Sequence, residues 1–426
     1  MLKSSLSLIR DHFAIIASGF LLIFFSIFGQ TVFIGVFLPD IREELGLSQS
    51  LTGTIYGAAT FLSAIIVIYT GKKFDDVPML KFLSLTFIGL AIGCFLFANA
   101  TGPVMLFIAF LLLRQFGQGL MVFAASTSIN RYLDEGRGRA MAITSFAAPI
   151  HTAIFPLMAL TLMEYAAWQT LWMGFAAFVL IILWPLFALL LKDHERTTHT
   201  QWQNKVFEEE RQAALYGDNP GHFTRKDALG DWKIYALIAT LIVPPCFTTA
   251  LFFFQAEIAF AKDISQLEFA GSLGLFTIFS ILASVVSGIL IDKFGEAPSL
   301  GIQPILYFIG MAVIILAGNP WMLSLGLGFI GASEGFARTT GGPVLARLYG
   351  TKHLGAIKAM VFSTLIVASA LSPVLVGVLL DLDFHIMDIF VAFNIYIALA
   401  TCLLIPVLRY LWRLHHSTHT ASETSS

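Results

Sequence analysis

Twelve apolar stretches separated by short polar turns run the length of the chain. They lie at roughly 13–38, 51–70, 79–99, 103–126, 139–163 and 168–191, then 233–258, 267–290, 299–318, 321–348, 356–380 and 388–411. Each holds about 18 to 28 residues, enough for an α-helix to cross a hydrocarbon layer ~30 Å thick. The first, from about His12 to Leu38, is too long for a signal-peptide core, no cleavage site follows it, and it is expected to remain as a helix. Tight turns suit a helical bundle in lipid, where no bare backbone can face hydrocarbon. Residues 192–232 are the exception: polar, with Glu208, Glu209 and Glu210, and broken at Gly217–Gly221. In them Thr224 followed by Asp227 reads as a helix start. The expected organisation is therefore a six-helix half at 1–191, a cytoplasmic linker at 192–232, a second six-helix half at 233–411 and a disordered tail at 412–426.

The two halves repeat one another at a fixed offset. Gly71-Lys72-Lys73-Phe74-Asp75-Asp76 and the stretch from Gly288 through Asp292, Lys293 and Gly295 are charged turns 217 positions apart. The same offset relates Ser48-Gln49 to Ser265-Gln266, Gly57 to Gly274, Pro103 to Pro320, Gly138 to Gly355, Pro156 to Pro373, and Glu164 to Asp381. A register held this long indicates an internal duplication. In a membrane chain, two parallel halves point to a transporter with its site between them.

Composition agrees, with 57% hydrophobic and 12% charged residues among 426, far from a soluble domain. With the N-terminus inside, 21 of the 25 Lys and Arg fall on the inner side, so both termini, both charged turns and the linker are expected to be cytoplasmic. Cys94, Cys246 and Cys402 sit in separate apolar runs, so neither a disulfide framework nor a metal site is expected. The motif His194-Glu195-Arg196-Thr197-Thr198-His199 spaces its histidines by five, not the four a zinc-binding helix face needs, and no phosphate-binding Gly-rich loop occurs. The tail histidines His415, His416 and His419 read as solvated. An intramembrane enzyme or an ATP-driven pump is therefore not supported, and a receptor leaves the buried charges below unexplained.

The second charged turn, with Gly288, Leu290, Asp292, Lys293 and Gly295, resembles motif A of the major facilitator superfamily, Gly-x-Leu-x-Asp-Arg-x-Gly. The first turn keeps Gly71 and Asp75 and departs at Asp76 and Pro78. Arg114-Gln115-Phe116-Gly117-Gln118-Gly119 is similar to the family's motif B, and Arg137-Gly138-Arg139-Ala140-Met141 follows it. The resemblance implies an all-α membrane protein of twelve transmembrane helices in two pseudo-symmetric halves, the major facilitator fold, acting as a secondary transporter by alternating access. Motif A would act as a gate latch, with Asp75 facing Arg131, Arg137 and Arg139, and Asp292 facing Arg347 and Lys352. Gln30-Thr31 through Pro39, Glu44 through Ser48, and Ser372 through Asp381 look like the monocarboxylate and oxalate/formate branch. That branch carries a basic residue in its eighth helix, whereas 266–290 hold no Lys or Arg. The helix-five pattern of drug antiporters is replaced here by Ala147-Ala148-Pro149-Ile150.

Charges inside a span cost ~2.5–3.5 kcal/mol each on insertion scales, so each needs a reason. Arg114 lies 11 residues past Pro103, ~16 Å deep, with Gln118 one turn on. Glu334 lies 14 residues past Pro320, ~21 Å deep, and Arg338 is four residues further on the same face, placed to pair with it. Their repeat mates are Gly117 and Met121, so these charges belong to the second half alone. His151, near Pro149, can carry a proton or hold a structural hydrogen bond. Gln30, Tyr56 and Gln255 are candidate polar liners, while Glu257, mate of Asp40, reads as a mouth residue. If Arg338 neutralises Glu334, Arg114 is left as an unpaired cation for an anionic or zwitterionic solute. If Glu334 is free, it is the candidate proton carrier. The expected partners are a small-molecule solute, the lipid bilayer and, as coupling ion, protons, with no cofactor, metal or nucleic acid. The expected form is a monomer, multi-pass in a plasma membrane of the bacterial inner-membrane type. A proton-driven efflux pump for drugs or metabolites is the alternative.

Overall fold

The computed structural model describes residues 10, 12–133, 136–192, 223–350 and 354–423, without the side chains of 72–76 and 415–423, and has no strand among them. The side chains of Lys72, Lys73, Asp75 and Asp76, together with the His194–His199 motif, Lys352 and the tail histidines, therefore lie outside the described residues. Six long helices come first: α1 Phe13–Leu45, α2 Gln49–Asp76, α3 Met79–Ala98, α4 Pro103–Tyr132, α5 Arg137–Met163 and α6 Trp168–Leu191. A short helix, Arg225–Gly230, follows, capped reciprocally by Thr224 and Asp227 as its sequence predicts. Then come α7 from Trp232 to Ala261, α8 Gln266–Phe294, α9 Glu296–Leu316, α10 Pro320–Tyr349, α11 Leu354–Asp381 and α12 Ile386–Glu423. The last runs on as helix past residue 411 because neither glycine nor proline follows Pro406 to stop it.

Among the described residues, eleven helices are long and apolar enough to span a bilayer. The twelfth is α10, which has the length, at 30 residues, but is diluted by Glu334, Arg338, its hydroxyls and its glycines. A span that polar must face something other than lipid along part of its surface.

The chain packs as two compact units, Met1–Leu47 with Ala58–Asn219, and Ser48–Gly57 with Pro220–Ser426. The first unit is built on an aromatic cluster in which Trp172, fully buried, meets Phe33, Phe37 and Phe97 at centroid distances of 5.6, 5.3 and 4.4 Å. The core of the second unit gathers Ile234, Leu237, Leu300, Val344, Leu404 and Val407, all 0–1% exposed.

The units differ from the expected halves at Ser48–Gly57, the start of α2, which belongs to the second unit. There the amides of Gln49 and Ser50 donate to the Asp381 carboxylate at 3.1 and 2.9 Å, and Gln49 Nε2 donates to Glu257 at 2.9 Å. The approach is close: a Cβ on Gly53 would sit 2.2 Å from the Pro373 carbonyl. The equivalent start of α8 is capped from within its own helix, by Ser265 and Glu268. In α2 Ser48 still accepts from the Leu51 amide at 3.1 Å, but with Leu51 at the third helical position instead of a carboxylate the reciprocal half of the box is missing.

Candidate functional site

Two spans leave the α-helix where the repeat relates them. In α1 the first piece, Phe13–Phe25, passes through a 3₁₀ turn at Ser26–Gly29, and Gln30 is extended (φ −86°, ψ 143°) before helix resumes at Thr31. In α7 a π-helical turn spans Pro244–Thr248, and a second interruption falls at Phe254. Adding the 217 offset to Ile27–Thr31 gives Pro244–Thr248, and Thr31 and Thr248 are mates. Broken helices strand backbone carbonyls, which in a membrane need internal donors.

In the first unit carbonyls beside the break recruit both predicted ionisable residues. Arg114, 5% exposed, donates from Nη1 to the Gly29 carbonyl at 3.2 Å and toward the Thr31 hydroxyl at 3.5 Å. It reaches them from a π-helical stretch of α4, Leu113–Met121. His151, also buried, places Nδ1 at 3.0 and 3.1 Å from the carbonyls of Ile23 and Phe24. Since both partners can only accept, Nδ1 carries the proton. The motif-B glycine Gly117 allows this approach, because a Cβ there would lie 2.8 Å from the Gly29 nitrogen. Gln115 joins the same helix to α2, accepting from Ser63 at 3.2 Å and donating to Thr70 at 3.0 Å. Arg114 is thus committed to the α1 backbone, contrary to the expectation of an unpaired cation.

In the second unit the pattern differs. Thr248 donates to Glu334 Oε1 at 2.8 Å and lies 3.0 Å from the Tyr307 hydroxyl. Its one proton is used on the carboxylate, so Tyr307 donates to Thr248. Arg338 donates from Nη2 to the Ser280 hydroxyl on α8. Glu334 is half-buried and Arg338 exposed. The expected Glu334–Arg338 ion pair is not formed; among the described residues the ion pair within 4.0 Å is Lys233–Asp231, at 3.0 Å. Four-residue spacing brings two side chains to one helix face, but here each turns to a hydroxyl on a different neighbour, α7 for the acid and α8 for the base. Thr248, Tyr307 and Ser280 escaped the sequence reading. Thr248 alone carried a signal, as the repeat mate of Thr31.

The remaining predicted residues are dispersed. Gln30 donates to Ser26 at 3.2 Å within α1. Tyr56 is fully buried with its ring 4.8 Å from that of Phe253, and Gln255 is 4% exposed, so neither lines an open space. Gln118 is half-buried without a side-chain hydrogen bond. In the charged turns Gly71 is buried, Gly288 half-buried and Lys293 exposed, and Gly295 ends α8 at φ 77°, a conformation suited to glycine. The expected latch from Asp292 to Arg347 is absent: Asp292 is exposed without a hydrogen bond, and Arg347 donates to the Leu414 carbonyl of α12 at 3.0 Å. Arg137 donates to the Leu133 carbonyl at 3.0 Å. No cluster of metal-ligating side chains occurs among the described residues.

No curated protein sequence matches the chain. Its fold matches that of a nucleoside transporter, NupG, with a TM-score of 0.68 at 12% identity over 92% of this chain and 99% of that one. A peptide transporter, POT, gives 0.69 at 16% identity over 94% of each. A bacterial homolog of the human lysosomal transporter Spinster, solved inward-facing and unoccupied, gives 0.64 at 14% identity over 94% of this chain and 97% of that one. The family model for the Major Facilitator Superfamily matches twice, over residues 19–260 and 236–426. The duplicated twelve-helix architecture is therefore that of a multi-pass membrane transporter, and the chain belongs to the major facilitator superfamily.

Proposed function

We propose that this protein is a secondary transporter for a small organic anion or zwitterion, with the solute-binding and proton-sensitive groups on α10. One observation carries the reading. The least apolar span bears an exposed Arg338 and a half-buried Glu334 that form no direct ion pair, each bonded instead to a hydroxyl on a neighbouring helix. Intramembrane charges left to hydroxyl partners are retained for a pathway, not for stability. Ionised, Glu334 accepts from Thr248, which accepts from Tyr307. Protonated, it donates to Thr248 and the chain reverses toward Tyr307, so the hydroxyl pair holds the carboxyl in place in both states. Alternating access would come from rocking of the two halves in a plasma membrane, termini inside. The similarity of 30–48 and 372–381 to the monocarboxylate and oxalate/formate branch agrees with an anionic solute, but 266–290 of α8 lack the basic residue of that branch, so the cation is assigned to α10 instead.

The test uses purified protein in liposomes with a panel of labelled organic acids and amino acids. For a transported solute, Glu334→Gln should lower pH-gradient-driven uptake at least tenfold while sparing counterflow exchange. Equal loss in both assays would make Glu334 a solute ligand, and full activity in both would remove it from the mechanism.

A further inference from the structure

One turn along α10 from Arg338 the helix has no side chains. Gly341 and Gly342 follow at three and four residues, on the same face. A Cβ built on Gly341 would meet nothing within 4 Å. One built on Gly342 would meet a single group, Lys358 of α11, with Nζ at 3.2 Å and Cε at 3.7 Å. Lys358 is half-buried and makes no hydrogen bond or ion pair among the described residues. The side of α10 toward α8 is closed, since Thr339 donates to Ser287 at 2.7 Å and Ser284 to the Gly335 carbonyl at 3.3 Å. The second unit thus holds a bare patch of helix flanked by a guanidinium and an ammonium. The nearest acid on α10, Glu334, is engaged by Thr248. The repeat did not impose the arrangement, because the mates of Arg338, Gly341, Gly342 and Lys358 are Met121, Ala124, Ala125 and Met141.

We infer that Arg338 and Lys358, across the open Gly341–Gly342 step, form a binding site for the oxyanion group of a solute. This rests on the proposed transport of an anion or zwitterion and names the groups that would take the negative end. An oxyanion lying between a guanidinium and an ammonium gains from both charges at once. The planar guanidinium can bind two oxygens side by side while the ammonium acts as a point charge. The absence of side chains at 341 and 342 lets the ligand approach the helix surface.

Lysine accessibility reads the site directly. Purified protein in detergent is treated with an amine-acylating reagent, and acylation at Lys358 and at exposed Lys293 is followed by peptide mass spectrometry. The probes are succinate and inorganic phosphate, against chloride at matched ionic strength. Both oxyanions should slow acylation of Lys358 at least fivefold and leave Lys293 unchanged. Arg338→Gln should abolish the protection. Gly341→Leu, which meets no neighbour and should fold normally, should abolish it too by filling the patch. Failure of either oxyanion to protect, or undiminished protection in Arg338→Gln, would overturn the site. Uptake of an acid in liposomes without protection of Lys358 would overturn this inference while leaving the transport reading intact. Protection by both succinate and phosphate with no solute transported would do the reverse.

Discussion

The α1–α4 pair of the first unit and the α7–α10 pair of the second began as copies and have diverged in what their charges do. Both keep a helix broken at the same repeat position and a threonine at its edge, Thr31 in one and Thr248 in the other. In the first unit the charge that meets the threonine is Arg114, which is buried and bound to the Gly29 carbonyl at the break. In the second it is Glu334, and the break manages without it. Thr249 donates to the Pro245 carbonyl at 2.6 Å, and Ser369 lies 2.8 Å from its hydroxyl. A hydroxyl on the broken helix itself thus does in α7 part of what a cation does in α1. On the proposed function, this leaves the ionisable groups of α10 available for solute. Depth in the membrane alone does not mark a functional charge; what the charge is bonded to decides.

The largest effect expected from this contrast is a split between folding and transport. Arg114→Gln should destabilise the protein by about 2–3 kcal/mol, because carbonyls in an apolar core lose a charged donor. Arg338→Gln should change the melting temperature in detergent by no more than about 2 °C, yet lower uptake more than tenfold. The reverse pattern would exchange the roles of the two arginines. His151→Ala sharpens the point, since its mate is Ala368 and no histidine takes that place in the second unit. It should cost about 1–2 kcal/mol of stability and leave the pH dependence of uptake unchanged. A shifted pH profile would return His151 to the proton path. The smallest expected effect is at the threonine of the second break. Thr248→Val removes a hydroxyl bonded at 2.8 Å and should cost ~1 kcal/mol, read from the melting temperature in detergent.

The span pattern, the duplication and the charged turns were legible because each is written in runs of residue type. The break in α1 was not: 13–38 reads as one apolar helix, and its interruption comes from packing of Ser26–Gly29 against α4. The roles of Arg114 and His151 depend on that break, so sequence could find both residues and still misjudge what they do. Glu334 and Arg338 stood out as charges in an apolar run. Whether they paired was decided by hydroxyls on α7 and α8, far away in the chain. Tyr307 looked like one more core aromatic, and Lys358 like one more inward cation. The start of α2 went to the second unit because its capping carboxylate, Asp381, is supplied more than 330 residues later.

The central claim, that the first unit hides its membrane cation and the second exposes its own, is tested most directly by thiol accessibility. In a background without Cys94, Cys246 and Cys402, Arg114→Cys and Arg338→Cys are exposed to a small, charged, membrane-impermeant thiol reagent in inside-out and right-side-out vesicles. The cysteine at 338 should react from one face of the membrane at least tenfold faster than the one at 114, which should stay unmodified until the protein is denatured. Equal rates, or faster labelling at 114, would contradict the account.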